Sequence, residues 1–151
     1  MALSTFGAIM GFAAEMVGQT KGAYETLVGK AKNPTLRETF QAFLREEDKT
    51  YSLMEKTRRE NVTEMILEPI TGLHQENYEI TLKVQDQMED SDLLKIGLVL
   101  EKREKLFFQD ASSKVPLSEV ARIFKKIVQK KEENLTKLQS LGLTSPGKKD
   151  T

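Results

Sequence analysis

FLREEDKTYSLM, residues Phe43 to Met54, returns 84 positions later as IVQKKEENLTKL, residues Ile127 to Leu138, with apolar and charged positions in step. The same offset pairs Val17 with Glu101, Tyr24 with Phe108, Leu36 with Val120, Phe40 with Phe124, Leu44 with Val128, Tyr51 with Leu135 and Met54 with Leu138. A register kept over so many positions, with apolar residues three and four apart, reads as one helical hairpin present twice. The copies differ at inward polar positions, which are Glu47 and Thr50 in the first and Lys131 and Asn134 in the second.

Working outward, the spacing predicts an all-α chain with helices over about 4–32, 34–62, 92–113 and 118–141. Ser4 is a candidate cap for the first, whose inward face is Phe6, Met10, Ala13, Val17, Tyr24, Leu27, Val28 and Ala31. A second stripe on that helix is Gly7, Gly11, Gly18, Gly22 and Gly29. Each glycine costs a helix about 1 kcal/mol against alanine, so the stripe implies close packing, either on a second subunit or on a neighbouring helix of the same chain.

Asn33-Pro34 is a helix end followed by a helix start, and so short a turn makes the two helices antiparallel. Leu36, Phe40, Phe43, Leu44, Glu47, Tyr51 and Met54 form the inward face of the second helix, and Arg37, Glu38, Arg45, Glu46, Lys49 and Lys56 its solvated one. Over 67–91 the helical pattern lapses: Pro69 and Gly72 interrupt it, and Tyr78, Ile80, Leu82 and Val84 alternate with polar residues. This reads as an extended crossover running the length of the bundle, lying on the helices or pairing with its copy in a dimer. Asp92 then starts a third helix with Leu93, Gly97, Leu100, Glu101, Glu104, Phe108 and Ala111 inward. Ser118 caps a fourth, with Val120, Ile123, Phe124, Ile127, Val128, Lys131, Asn134, Leu135 and Leu138 inward. Residues 142–151 read as a flexible tail.

Composition narrows function. The 151 residues suit one domain, and 23 basic residues balance 23 acidic ones, which gives no long-range pull toward nucleic acid or anionic lipid. There is no cysteine, hence no disulfide, thiolate metal site or thiol nucleophile, as suits a cytoplasmic protein. The apolar start ALSTFGAIMGFAA lacks a preceding Lys or Arg, is too short for a membrane span, and reads as the first helical turns. His74, the one histidine, falls in the crossover and reads as a surface residue, so no Ser-His-Asp set forms. The methionines Met10, Met16, Met54, Met65 and Met88 read as core filler.

Two hairpins joined by a long crossover, with Glu47 and Glu101 on facing apolar stripes, resemble the ferritin-like superfamily and in particular rubrerythrin-like proteins. The resemblance implies a di-iron site taking one Glu from the first helix of each hairpin and a Glu-x-x-His from the second. Residue by residue, Glu101 stands seven before Phe108 and keeps the first carboxylate, and Glu104 matches an additional Glu of rubrerythrins. Thirty residues after Glu101, Lys131 and Asn134 occupy the Glu and His positions; in the other hairpin Val17 replaces Glu, and Thr50 stands for His beside the retained Glu47. Of six expected ligands, two remain.

This pattern sets the expectation of a polar core cluster, Glu47, Thr50, Glu101, Lys131 and Asn134, in which Lys131 replaces the metal as counter-ion. The competing reading has Lys131 snorkelling to solvent beside wet or protonated carboxylates. Two functions follow. One is a non-catalytic, metal-free relative of rubrerythrin, a homodimeric interaction or scaffold module with no catalytic residue. The other is an iron oxidoreductase, peroxidase or ferroxidase, holding metal with Glu47, Glu101 and Glu104.

Overall fold

The computed structural model describes residues 1–61 and 69–142; Val62 and Met65, and the tail from 143 onward, lie outside the described residues. Among the described residues there are four α-helices: α1 Phe6–Lys30, α2 Pro34–Glu60, α3 Asp90–Ser112 and α4 Ser118–Gly142. α1 packs closely on α2 and α3 on α4, and the pairs come together as a helical bundle.

Local chemistry sets the helix ends. Thr5, not Ser4, caps α1, its hydroxyl accepting from Ala8 N at 3.0 Å. Asn33 Oδ1 accepts from Thr35 N and Leu36 N at 2.8 and 3.1 Å, with Pro34 in the first turn of α2. The turn is closed by Arg37, which donates from Nε and Nη2 to the Ala31 carbonyl. α3 begins two residues before Asp92, because Asp92 sits in its first turn and reaches back to accept from Glu89 N at 3.2 Å.

The segment from Pro69 to Glu89 differs from the alternating pattern of its sequence. Among the described residues there is no strand. Ala2 and His74 form one isolated antiparallel bridge, Gln75–Tyr78 is a 3-10 turn, and the rest is irregular. Alternation here reflects an extended chain lying on the helices. Ile70, Leu73 and Tyr78 are buried, and Ile80, Leu82 and Val84 are half-buried against the core. Gly72, at φ 88°, supplies the one left-handed turn. The segment leaves the start of α1, where Leu3 N donates to Leu73 O and Ile70 N to Ser4 O. It ends at the α1–α2 turn, where the Asp90 carboxylate accepts from Lys32 N and Asn33 N at 3.0 and 2.9 Å.

This covering segment explains why α1 and α3 bury more than one stripe. The Tyr78 ring meets Phe12 of α1 at 6.2 Å and Phe107 of α3 at 5.2 Å, and its hydroxyl donates to Asp110. Ile9, Phe12 and Met16 are therefore core, and the apolar N-terminal run is the hydrophobic wall of a helix covered on two sides. Tyr51, expected inside, is exposed, with its ring over Gly18. No helix among the described residues is long and apolar enough to cross a membrane.

Among the described residues, a Cβ at Gly11, Gly22 or Gly29 would meet nothing within 4 Å, so packing against them does not account for those three. Gly97 is different. A Cβ there would stand 3.0 Å from the buried Phe40 ring and 3.4 Å from Leu138. Gly97→Val is expected to cost about 2 kcal/mol by overpacking, read by urea unfolding of the variant beside the parent.

Candidate functional site

At mid-bundle, carboxylates of α2 and α3 converge on one ammonium of α4. Lys131 of α4 is 1% exposed, and Glu47 of α2 and Glu101 and Glu104 of α3 are fully buried. Lys131 Nζ is ion-paired to Glu47, lies 3.3 Å from Glu101 Oε2 and 3.1 Å from Glu104 Oε1, and reaches the partly exposed Glu46 at 3.4 Å. The snorkelling alternative for Lys131 is thereby excluded. Glu101 is the best satisfied carboxylate: Tyr24 of α1 donates its hydroxyl to Oε2 and Asn134 donates Nδ2 to Oε1, both at 2.7 Å. Asn134 also donates to Glu46 at 2.9 Å. Thr50 is the exception. It is buried next to the cluster, yet its hydroxyl makes no hydrogen bond to it, because the side chain lies at the α2–α4 seam with Leu53 and Ile127.

Glu47 of α2 and Lys131 of α4 stand 84 positions apart, the offset at which the sequence pattern recurs, and they meet where α2 and α4 face each other. The same offset separates a pair on the opposite side, where Arg103 of α3 donates to Gln19 of α1 at 3.4 Å and to Thr20 at 3.0 Å. Sequence reading overlooked Arg103. The signal was present, since Ile96, Leu100, Arg103 and Phe107 are spaced as one helical stripe and all four are buried.

Charge dictates the protonation state. Three buried carboxylates face two buried cations, Lys131 and Arg103, and an isolated excess charge in such surroundings is costly enough that a proton is retained instead. Burial raises the Glu47 carboxyl well above the ordinary carboxylate range, and repulsion from Glu104 adds to this while Lys131 opposes it. Burial likewise raises Glu101, against the pull of Lys131. Glu47 Oε1 and both Glu104 oxygens have no hydrogen-bond partner, although Glu104 Oε1 lies 3.1 Å from the Lys131 ammonium. Burial alone would lower Lys131, but attraction from Glu104, Glu101, Glu47 and Glu46 outweighs it and holds the pKa well above the lysine value. Burial raises the Tyr24 hydroxyl, and the charge of Glu101 raises it further, so it stays a donor.

The cluster does not fit the di-iron site of the resemblance. The ammonium stands among the carboxylates that would take the metal, and two like charges a few ångströms apart repel by several kcal/mol in partly buried surroundings. Among the described residues no group of three or more His, Cys, Asp or Glu is arranged to hold a metal ion. His74 is exposed, at the Ala2 bridge in the connection. The chemistry the arrangement performs is charge compensation and proton retention. Comparison of the chain with protein-family models, curated proteins and solved structures found no match.

Removing the cation strands the carboxylates: Lys131→Ala is expected to cost about 3 kcal/mol or more, read by urea unfolding at neutral pH. The pH dependence has a fixed sign. Glu47 and Glu101 are raised above 4.5 in the fold, so their stabilising contribution is complete below that value and is lost as pH rises through the raised values. Lys131, raised above 10.5, loses its contribution only in the strongly alkaline range. Glu47→Gln, which fixes the neutral form, is expected to gain stability relative to the parent as pH rises from about 5 to about 9; paired unfolding curves across that range measure the difference.

Proposed function

We propose that the chain is a ferritin-like bundle of two repeated hairpins and one long crossover, related to the rubrerythrins, in which Lys131 stands where a metal would. On this reading it is a non-catalytic interaction or scaffold module of the cytoplasm and forms a homodimer. The observation that carries the proposal is the Lys131 ammonium ion-paired to Glu47, Glu101, Glu104 and Glu46 in the middle of the bundle. The glycine surface at Gly11, Gly22 and Gly29, open within the chain, supports a second subunit as its partner. Fold alone does not carry the redox activity of a family when the residues that perform it are replaced.

Metal analysis of protein expressed with added iron tests this directly. The expected result is substoichiometric iron; about two irons per chain would establish the oxidoreductase reading instead. The combined variant Val17→Glu, Thr50→His, Lys131→Glu and Asn134→His is expected to acquire tight iron binding absent from the parent, measured by the same analysis. No gain counts against the proposed ligand register.

A further inference from the structure

The two seams of the bundle are treated differently. The α1–α3 seam is covered by the chain's own segment, whose Tyr78 packs on Phe12 and Phe107. Its counterpart between α2 and α4 carries, among the described residues, two adjoining open pockets that share Glu46 and Lys130. One, of about 570 Å³, is bordered by Ala42, Phe43 and Lys137, and the other, of about 330 Å³, by Leu53 and Ile123. From Ala42 to Leu53 this is about 16 Å, or three helical turns.

The groove has an apolar floor and a cationic rim. Phe43, Leu53, Ile123 and Ile127 supply the floor, while Arg45, Lys49, Lys126, Lys130 and Lys137 stand along the edges. Glu46 and Glu133, the two acids along it, are both within 4 Å of Lys130, at 3.9 and 3.6 Å. Arg45, Lys49, Lys126 and Lys137 carry no ion pair among the described residues. On a chain with net charge +0, four unpaired cations beside one apolar groove are a local excess. They call for carboxylates, and the floor calls for aliphatic side chains.

We infer that the α2–α4 groove is a docking surface for an acidic amphipathic helix of a partner protein. The helix lays apolar residues spaced three and four apart on Phe43, Leu53, Ile123 and Ile127, and its flanking carboxylates pair with the rim. The apolar floor separates this occupant from nucleic acid, which would meet the cations but gain nothing from the floor. Glu46 and Asn134 belong to both the groove and the buried cluster, so the docked helix rests on the outer layer of the Lys131 network. The inference rests on the proposed role as an interaction module and names its partner class.

The test uses the full chain and a labelled helical peptide of about 14 residues, with leucine on one face and glutamate on the flanks. Controls are the same peptide with lysine for glutamate, one with the leucines redistributed around the helix, and a single-stranded oligonucleotide. Fluorescence anisotropy at low and moderate salt is expected to show salt-sensitive binding of the acidic amphipathic peptide alone. Lys49→Glu with Lys126→Glu, both exposed and outside the buried cluster, is expected to weaken it by about tenfold or more, with unfolding curves of parent and variant coinciding. No binding by that peptide, equal binding by the redistributed control, indifference to the charge reversal, or preference for the oligonucleotide would each overturn the inference. Iron content is measured on the same preparation: iron near two per chain with peptide binding intact would remove the metal-free reading and leave the groove standing.

Discussion

The structure depends on one ammonium held out of water by carboxylates. Lys131 Nζ is paired with Glu47, Glu101 and Glu104, none of which reaches solvent, and with Glu46, which does. Any one of these charges alone in the core would be expelled or neutralised. Together with Arg103 they form a mutually compensating group whose members come from different helices, so assembly of α2, α3 and α4 and charge compensation go together. Tyr24 brings α1 into it through Glu101. Hydrophobic layers hold the bundle on either side. One contains Phe107, Phe108 and Phe124, the other Tyr24, Phe40 and Phe43.

Much of the fold was legible because helical hairpins announce themselves by periodicity and punctuation. Asn33-Pro34 and the inward stripes could be read directly, and the 84-residue offset pairs Glu47 with Lys131 in the sequence itself. The difficult part was the connection. Tyr78, Ile80, Leu82 and Val84 alternate because every second side chain rests on helices, a contact that leaves the same imprint as a strand. Tyr51 misled for a related reason. It stands 84 residues before the buried Leu135, yet it sits at the surface with its ring over Gly18.

The site divides in the same way. Residue types and repeat register gave Glu47, Glu101, Glu104, Lys131 and Asn134 as inward polar residues, and the structure gathers all five. What spacing could not supply was direction. Thr50 is buried but its hydroxyl faces away from the network, and Glu46, assigned to the solvated face, reaches inward to Lys131 and Asn134. Arg103 was hidden by residue type, because a charged residue on an apolar stripe is usually discounted unless its stripe is counted separately from that of Glu101 and Glu104. The covered seam and the open one could not be told apart from sequence at all, since which groove the connection occupies is a matter of topology.

The central claim is that Lys131 is a buried, permanently charged counter-ion, and nitrogen-detected NMR of its side chain addresses that claim most directly. The account predicts an ammonium resonance with slowly exchanging protons that persists at pH values above 10.5, where exposed lysines have titrated. A Lys131 signal that titrates with the other lysines, or whose protons exchange as fast as theirs, would contradict it.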